Sequence, residues 1–124
     1  MTSLTDYAKN MLARALAGRR PALPSAVFIA LGTGGSDVSG LSGEPTGTGY
    51  ARQVVTFFGT GLQYNISQVK FTFTSAPGTI THIGVFDALT AGNPLLWAPL
   101  PTPAILNGPG IINIPVNSMN VFGD

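Results

Sequence analysis

The side chains able to do chemistry are few in these 124 residues, and they are scattered. The acids are Asp6, Asp37, Glu44, Asp87 and Asp124; His82 is the one histidine, and there is no cysteine. A catalytic triad needs histidine held between an activated hydroxyl and an orienting carboxylate. Asp87 is near His82 in the chain, but it sits beyond the end of the same apolar strand pattern. No serine stands in a nucleophile-elbow setting, since Ser42 has glycine on one side only. One histidine without thiolates cannot build a multi-histidine or zinc-thiolate centre, so His82 reads as a strand histidine. Glycoside hydrolysis needs two carboxylates facing each other across a cleft, and only Asp37 and Glu44 share a segment. The chemistry open to that segment is calcium ligation helped by backbone carbonyls, against a plain glycine-rich loop. Gly32-Thr33-Gly34-Gly35 is followed by Ser36-Asp37, not by the Lys-Ser/Thr that a phosphate-binding loop needs. The Asn65-Ile66-Ser67 sequon matters only in a secretory pathway. The expectation is a non-enzymatic chain without cofactor or metal.

The cations are more suggestive. Lys9, Arg14, Arg19 and Arg20 gather near one end of the N-terminal segment. Three readings are open: a solvated helix end, a contact with an acidic partner surface, or nucleic-acid binding. The last lacks the aromatic platforms or recognition helix such modules use. The net charge of +1 also gives no global field to attract nucleic acid. Tyr50 and Arg52 are two apart, so on a strand they share one face. They are either partner anchors of the kind enriched at interfaces, or a core tyrosine with a hydrogen-bonding neighbour. Arg14, Arg19, Arg20, Tyr50 and Arg52 are the candidate partner-contact residues. Trp97 and Tyr64 could stack sugars if exposed, although Trp97 lies in an apolar run that suits a core.

Composition sets the class. Charged residues are 9% of the chain, against roughly 25% in ordinary soluble domains, while hydrophobic residues reach 44% and mean hydropathy is +0.32. Either Thr, Ser, Asn and Gly carry the surface, or partners cover much of it. The absence of cysteine suits assembly in a reducing cytoplasm. No apolar run approaches the roughly 20 residues of a membrane span, and no charged segment followed by an apolar one marks a secretory signal.

The elements that must position these residues form a single β domain, 1–124, with a helical segment 1–20 and a β body 21–124. Leu4, Tyr7, Ala8, Met11, Leu12, Ala15 and Leu16 trace one helical stripe. Ser3 or Thr5 caps it, Asp6 sits in its first turn, and Gly18 with Pro21 ends it. This helix either lids a sheet or serves as a docking arm. Ala26–Leu31 reads as a strand buried on both faces, and 32–49 as a long loop, ordered by its partner on assembly. Tyr50–Phe58 reads as a strand broken at Gly59–Gly61. Gln68–Thr74 alternates cleanly, with Val69, Phe71 and Phe73 inward. Strands follow at Thr79–Phe86 and Leu95–Leu100, the latter ending in an edge or linker at Pro99, Pro101 and Pro103. Asn107-Gly108-Pro109-Gly110 is a turn. Ile111–Asn117 closes the set with Ile112, Ile114 and Val116 on one face, and Asn120–Phe122 adds a short strand. Strands at this spacing predict an all-β fold, an antiparallel β-sandwich or jelly-roll-like barrel with one N-terminal amphipathic α-helix.

The amphipathic helix, the Ala26–Leu31 strand, Gly43-Glu44-Pro45 and Gly49-Tyr50-Ala51-Arg52-Gln53 with its aromatic strand together resemble a family of small phage virion proteins. Members carry tail fibre or capsid decoration labels. The strand from Ile80 to Asp87, Gly92–Leu100 with Leu96-Trp97, and the strand after Gly108 extend the resemblance along most of the chain. It implies a virion structural role, assembled in the host cytoplasm, with no catalytic residues to carry over. The first expectation is a capsid decoration (cement) protein that binds the major capsid protein as a dimer or trimer. The alternative is a tail fibre, baseplate or other tail component, and the third reading is a carbohydrate-binding β-sandwich. None of the three involves a membrane, and the two virion readings involve no small-molecule substrate.

Overall fold

The computed structural model describes residues 3–60, 62–116 and 120–121. After β1 (Ser3–Leu4), a helix α1 runs over Asp6–Leu16. Its N-cap is Thr5, whose hydroxyl accepts from the Ala8 N–H at 3.2 Å and donates to the Pro94 carbonyl at 2.7 Å. The cap that starts the helix thus also ties it to the sheet. The helix ends in a Schellman turn. Gly18 takes φ +77°, its N–H donates to the Ala15 carbonyl, and the Arg19 N–H donates to the Arg14 carbonyl. The expected apolar stripe divides in two. Leu4 belongs to β1, Ala8 and Met11 are buried, but Leu12 is 41% exposed and Leu16 is 91% exposed.

The remaining elements are β2 (Val27–Gly32), β3 (Gly34–Ser36), β4 (Gly40–Ser42), β5 (Gln53–Val55), β6 (Phe57–Phe58), β7 (Gln63–Asn65), β8 (Val69–Phe73), β9 (Gly78–Phe86), β10 (Pro94–Leu106), β11 (Gly110–Ile114) and β12 (Asn120–Val121). A five-stranded antiparallel sheet has the order β1-β10-β9-β2-β5. Smaller antiparallel sheets are β11-β8, β12-β7-β6 and β3-β4. The fold is all-β and sandwich-like. No sheet closes on itself among the described residues, so the barrel alternative gives way to the sandwich.

The alternation in β8 places Val69, Phe71 and Phe73 inside and leaves Lys70 and Thr72 exposed. These inward residues join Ile29, Leu31, Ile83 and Val85 from one face of the large sheet in a single core cluster. Ala8 and Met11 of the helix and Ile114 of β11 complete it. Burial on this scale contributes about 2 kcal/mol per large apolar side chain.

The second face of the large sheet carries Ala30 and Phe86, with Leu41 packed on them. Leu41 comes from β4, inside the segment read from sequence as a long loop. That segment instead contains the β3–β4 hairpin, which lies on the sheet. Gly84 is what permits this close approach. A Cβ there would fall 2.6 Å from the Leu41 Cβ and 3.1 Å from the Leu96 carbonyl oxygen.

Three strand expectations change. Tyr50–Phe58 is not one strand: Tyr50 and Arg52 precede β5, and β5 and β6 belong to different sheets on either side of Thr56. Leu95–Leu100 is the first part of a longer strand, because a bulge between Pro99 and Ala104 absorbs the prolines while pairing with β9 resumes at Ala104↔Ile80. The last described strand of the β11–β8 pair stops at Ile114, and Val116 lies beyond it, 49% exposed. Gly61, Asn117, Phe122 and Asp124, named in the expectations, lie outside the described residues.

Candidate functional site

The segment after the β3–β4 hairpin brings Glu44 toward Tyr50 and Arg52 at the edge of the second sheet face. Arg52 grips Glu44 with both arms of its guanidinium, Nη2 to Oε1 at 2.7 Å and Nε to Oε2 at 3.0 Å. Its Nη1 donates to the carbonyls of Ala88 and Ala91 at 2.9 and 2.8 Å. The guanidinium carbon stands 3.8 Å over the Phe86 ring, a cation–π contact. Tyr50 donates its hydroxyl to Glu44 Oε2 at 2.6 Å and accepts from the Leu31 N–H at 3.0 Å. Its ring lies near-parallel to Phe71 and Phe73.

Electrostatics and geometry agree on what this cluster does. Burial disfavours the Glu44 carboxylate, but hydrogen bonds from Arg52 and Tyr50, with the Arg52 charge, outweigh it and hold the pKa below its ordinary 4.5. The bond to Glu44 raises Arg52 further. Burial, then the hydrogen bond to Glu44, keeps the Tyr50 phenol protonated well above its usual range. A bidentate pair with both Nη1 donors also engaged is a clamp. It fastens the segment from Glu44 to Arg52 onto β2 through Leu31 and onto the turn after β9 through Ala88 and Ala91. A shallow cleft of about 370 Å³ opens beside it, lined by Pro45, Thr46, Leu89 and Thr90 with the clamp residues.

Tyr50 and Arg52 therefore converge, as the two-residue spacing suggested, but from a loop, and onto Glu44 within the same chain. Glu44 was the partner that sequence reading missed. The usable signal was an acid and a base of opposite sign flanking Gly47 and Gly49, both of which take positive φ.

Asp37 and Glu44 are not brought together. Asp37 accepts from Trp97 Nε1 at 2.8 Å and from Lys9 Nζ at 3.4 Å. The Trp97 bond first, with Lys9, lowers its pKa despite some desolvation. Trp97 in turn stacks with His82, whose Nδ1 lies 2.8 Å from the Thr81 hydroxyl. Asp87 accepts from the Asn93 backbone and side chain. His82 and Asp87 thus serve different partners. Asn65 is fully buried, with its amide nitrogen bonded to the Ser67 and Pro115 carbonyls, so the sequon is folded away.

The other candidate residues stand at the far end of α1. Arg14 is partly buried and Arg19 and Arg20 are exposed. The structure does not bring them to Tyr50 and Arg52. Among the described residues the ion pairs are Lys9–Asp37 and Arg52–Glu44, so these three arginines have no carboxylate partner there.

Compared with known proteins, residues 3–121 match a family model described as podophage GP4 fiber I protein gp80. No curated protein matches the chain. The chain belongs to that fiber family.

Proposed function

We propose that this member of the podophage GP4 fiber I protein gp80 family is a non-enzymatic structural component of the phage tail, a small fibre subunit or adaptor. The observation that carries the reading is the family match, which spans every described residue. It favours the tail-fibre alternative over the capsid-decoration reading that the sequence suggested first. Physical features support a life inside an assembly. Charge is scarce, and Leu12, Leu16, Leu23, Val38, Ile105 and Ile111 are all more than 40% exposed. A chain with so few charges is poorly protected against association when it stands alone. The subunit acts as a closed homo-oligomer, a dimer or trimer, and joins other virion proteins. The Glu44–Tyr50–Arg52 clamp serves this role by fixing the backbone of its loop so that the adjoining surface is presented in one shape.

Gold-labelled antibody against the chain tests the location. Decoration of the tail end of intact particles is expected. Decoration spread evenly over the head would return the chain to the capsid, and no decoration of any particle would remove it from the virion.

A further inference from the structure

We propose that the C-terminal half of α1, with the segment that follows to Leu23, docks into an apolar groove rimmed by acidic residues on a neighbouring virion protein. The inference rests on the virion reading above and names the surface used. The helix is amphipathic throughout, yet the protein body covers only its first half. Ala8 and Met11 are 3% and 7% exposed, whereas Leu12 and Leu16, which continue the stripe, are 41% and 91% exposed. Leu23, past the Gly18 turn, is 62% exposed.

Arg19 and Arg20 stand between Leu16 and Leu23 in the chain, and Arg14 lies in the last helical turn, two residues from both Leu12 and Leu16 and so on another side of the helix. None pairs with a carboxylate among the described residues, where the acids in ion pairs, Asp37 and Glu44, are taken by Lys9 and Arg52. Arg14 Nε is shielded from solvent and has no hydrogen-bond partner there, so Arg19 and Arg20, both exposed, are the cations most open to an outside carboxylate. Helix capping does not account for them. The terminal carbonyls of Arg14 and Ala15 are already satisfied by the backbone N–H groups of Arg19 and Gly18. Attraction to the helix dipole favours cations at this end, but it leaves the exposed leucines unexplained.

Charge complementarity therefore selects the occupant: carboxylates for the arginines around an apolar floor for the leucines. A protein fits this better than the other anionic surfaces. Nucleic acid would leave the leucines uncovered, and the net charge of +1 supplies little long-range attraction. A lipid interface takes up the whole apolar face of a helix, whereas Ala8 and Met11 of this helix are already packed on the protein body and only its C-terminal leucines stand free.

The test uses the full-length chain carrying Arg14→Glu, Arg19→Glu and Arg20→Glu together, supplied during infection in place of the native one. A second variant, Leu16→Glu, carries the apolar half of the argument, and Lys70→Glu, an exposed cation on β8, is the control. Circular dichroism and thermal melting of each purified chain establish that it folds. Incorporation into purified particles is expected to fall about tenfold or more for the triple variant and for Leu16→Glu, the loss typical of a central interface anchor, and to stay unchanged for Lys70→Glu. A photo-crosslinker placed at Leu16 is expected to capture an acidic segment of another virion protein. Folded triple and Leu16 variants that incorporate at the wild-type level would overturn the docking surface while leaving the virion role intact. Wild-type chain absent from particles would overturn both. Crosslinks to packaged DNA, or charge-dependent binding of the wild-type chain to phosphatidylglycerol vesicles without any protein crosslink, would overturn the choice of a protein partner.

Discussion

Arg52 and the three arginines at the end of α1 carry the same guanidinium into opposite situations. Arg52 is 9% exposed, with its donors directed at Glu44 and two carbonyls. Arg14, Arg19 and Arg20 reach no carboxylate among the described residues, and Leu12, Leu16 and Leu23 of the same stretch of chain are left in solvent. The first arrangement is complete within the chain, so its energy goes into the fold. The second has no ion-pair partner among the described residues, and the docking proposal builds on that. Residue type alone does not separate an arginine held within the fold from one left without a protein partner; the state of its hydrogen-bond partners does.

The comparison is broken most directly at Arg52. Arg52→Ala strands the Glu44 carboxylate and the carbonyls of Ala88 and Ala91, and it is expected to cost about 3 kcal/mol. Urea unfolding measures this, and a change below about 1 kcal/mol would mean the clamp contributes little. Gly84→Ala comes next, at about 2 kcal/mol, because the added methyl group collides with Leu41 and the Leu96 carbonyl. It is expected to loosen the β3–β4 hairpin, read as faster amide exchange at Leu41. Tyr50→Phe keeps the ring against Phe71 and Phe73 but leaves the Leu31 N–H without its acceptor, for roughly 1–2 kcal/mol in the same unfolding experiment.

A pH series sharpens the contrast further. The Glu44 pKa is lower folded than unfolded, so its contribution is fully present above the ordinary 4.5 and is lost as pH falls through the folded value. Wild-type stability is expected to drop faster than that of Glu44→Gln over roughly pH 5 to 3. Parallel curves would contradict the clamp's charge state. The smallest effect belongs to the other region: Arg19→Ala and Arg20→Ala are expected to leave stability within about 0.5 kcal/mol.

What the sequence made legible follows from how much apolar pattern each segment has. Val69–Phe73 alternates with large side chains and was readable residue by residue. Ala8 and Met11 lie on the stripe as expected, but periodicity cannot say where the body stops covering it, so the exposure of Leu16 was not readable. The β3–β4 hairpin was hidden because Leu41 is the only large apolar residue it buries. Its other strand positions are glycine and serine, which signal a loop. The passage of β10 through Pro99, Pro101 and Pro103 was hidden for a different reason: the bulge that accommodates them depends on pairing with β9. At the clamp, the sequence placed Tyr50 and Arg52 together but not Glu44, because their meeting depends on the glycine turns at Gly47 and Gly49 rather than on strand spacing.

The central claim, a tail-fibre role, is tested most directly by counting copies of this chain against the major capsid protein in purified particles by quantitative mass spectrometry. The account predicts a small fraction of the capsid protein's copy number, as suits a tail part. A ratio near one, or a simple fraction such as one third, would place the chain on the shell and contradict it.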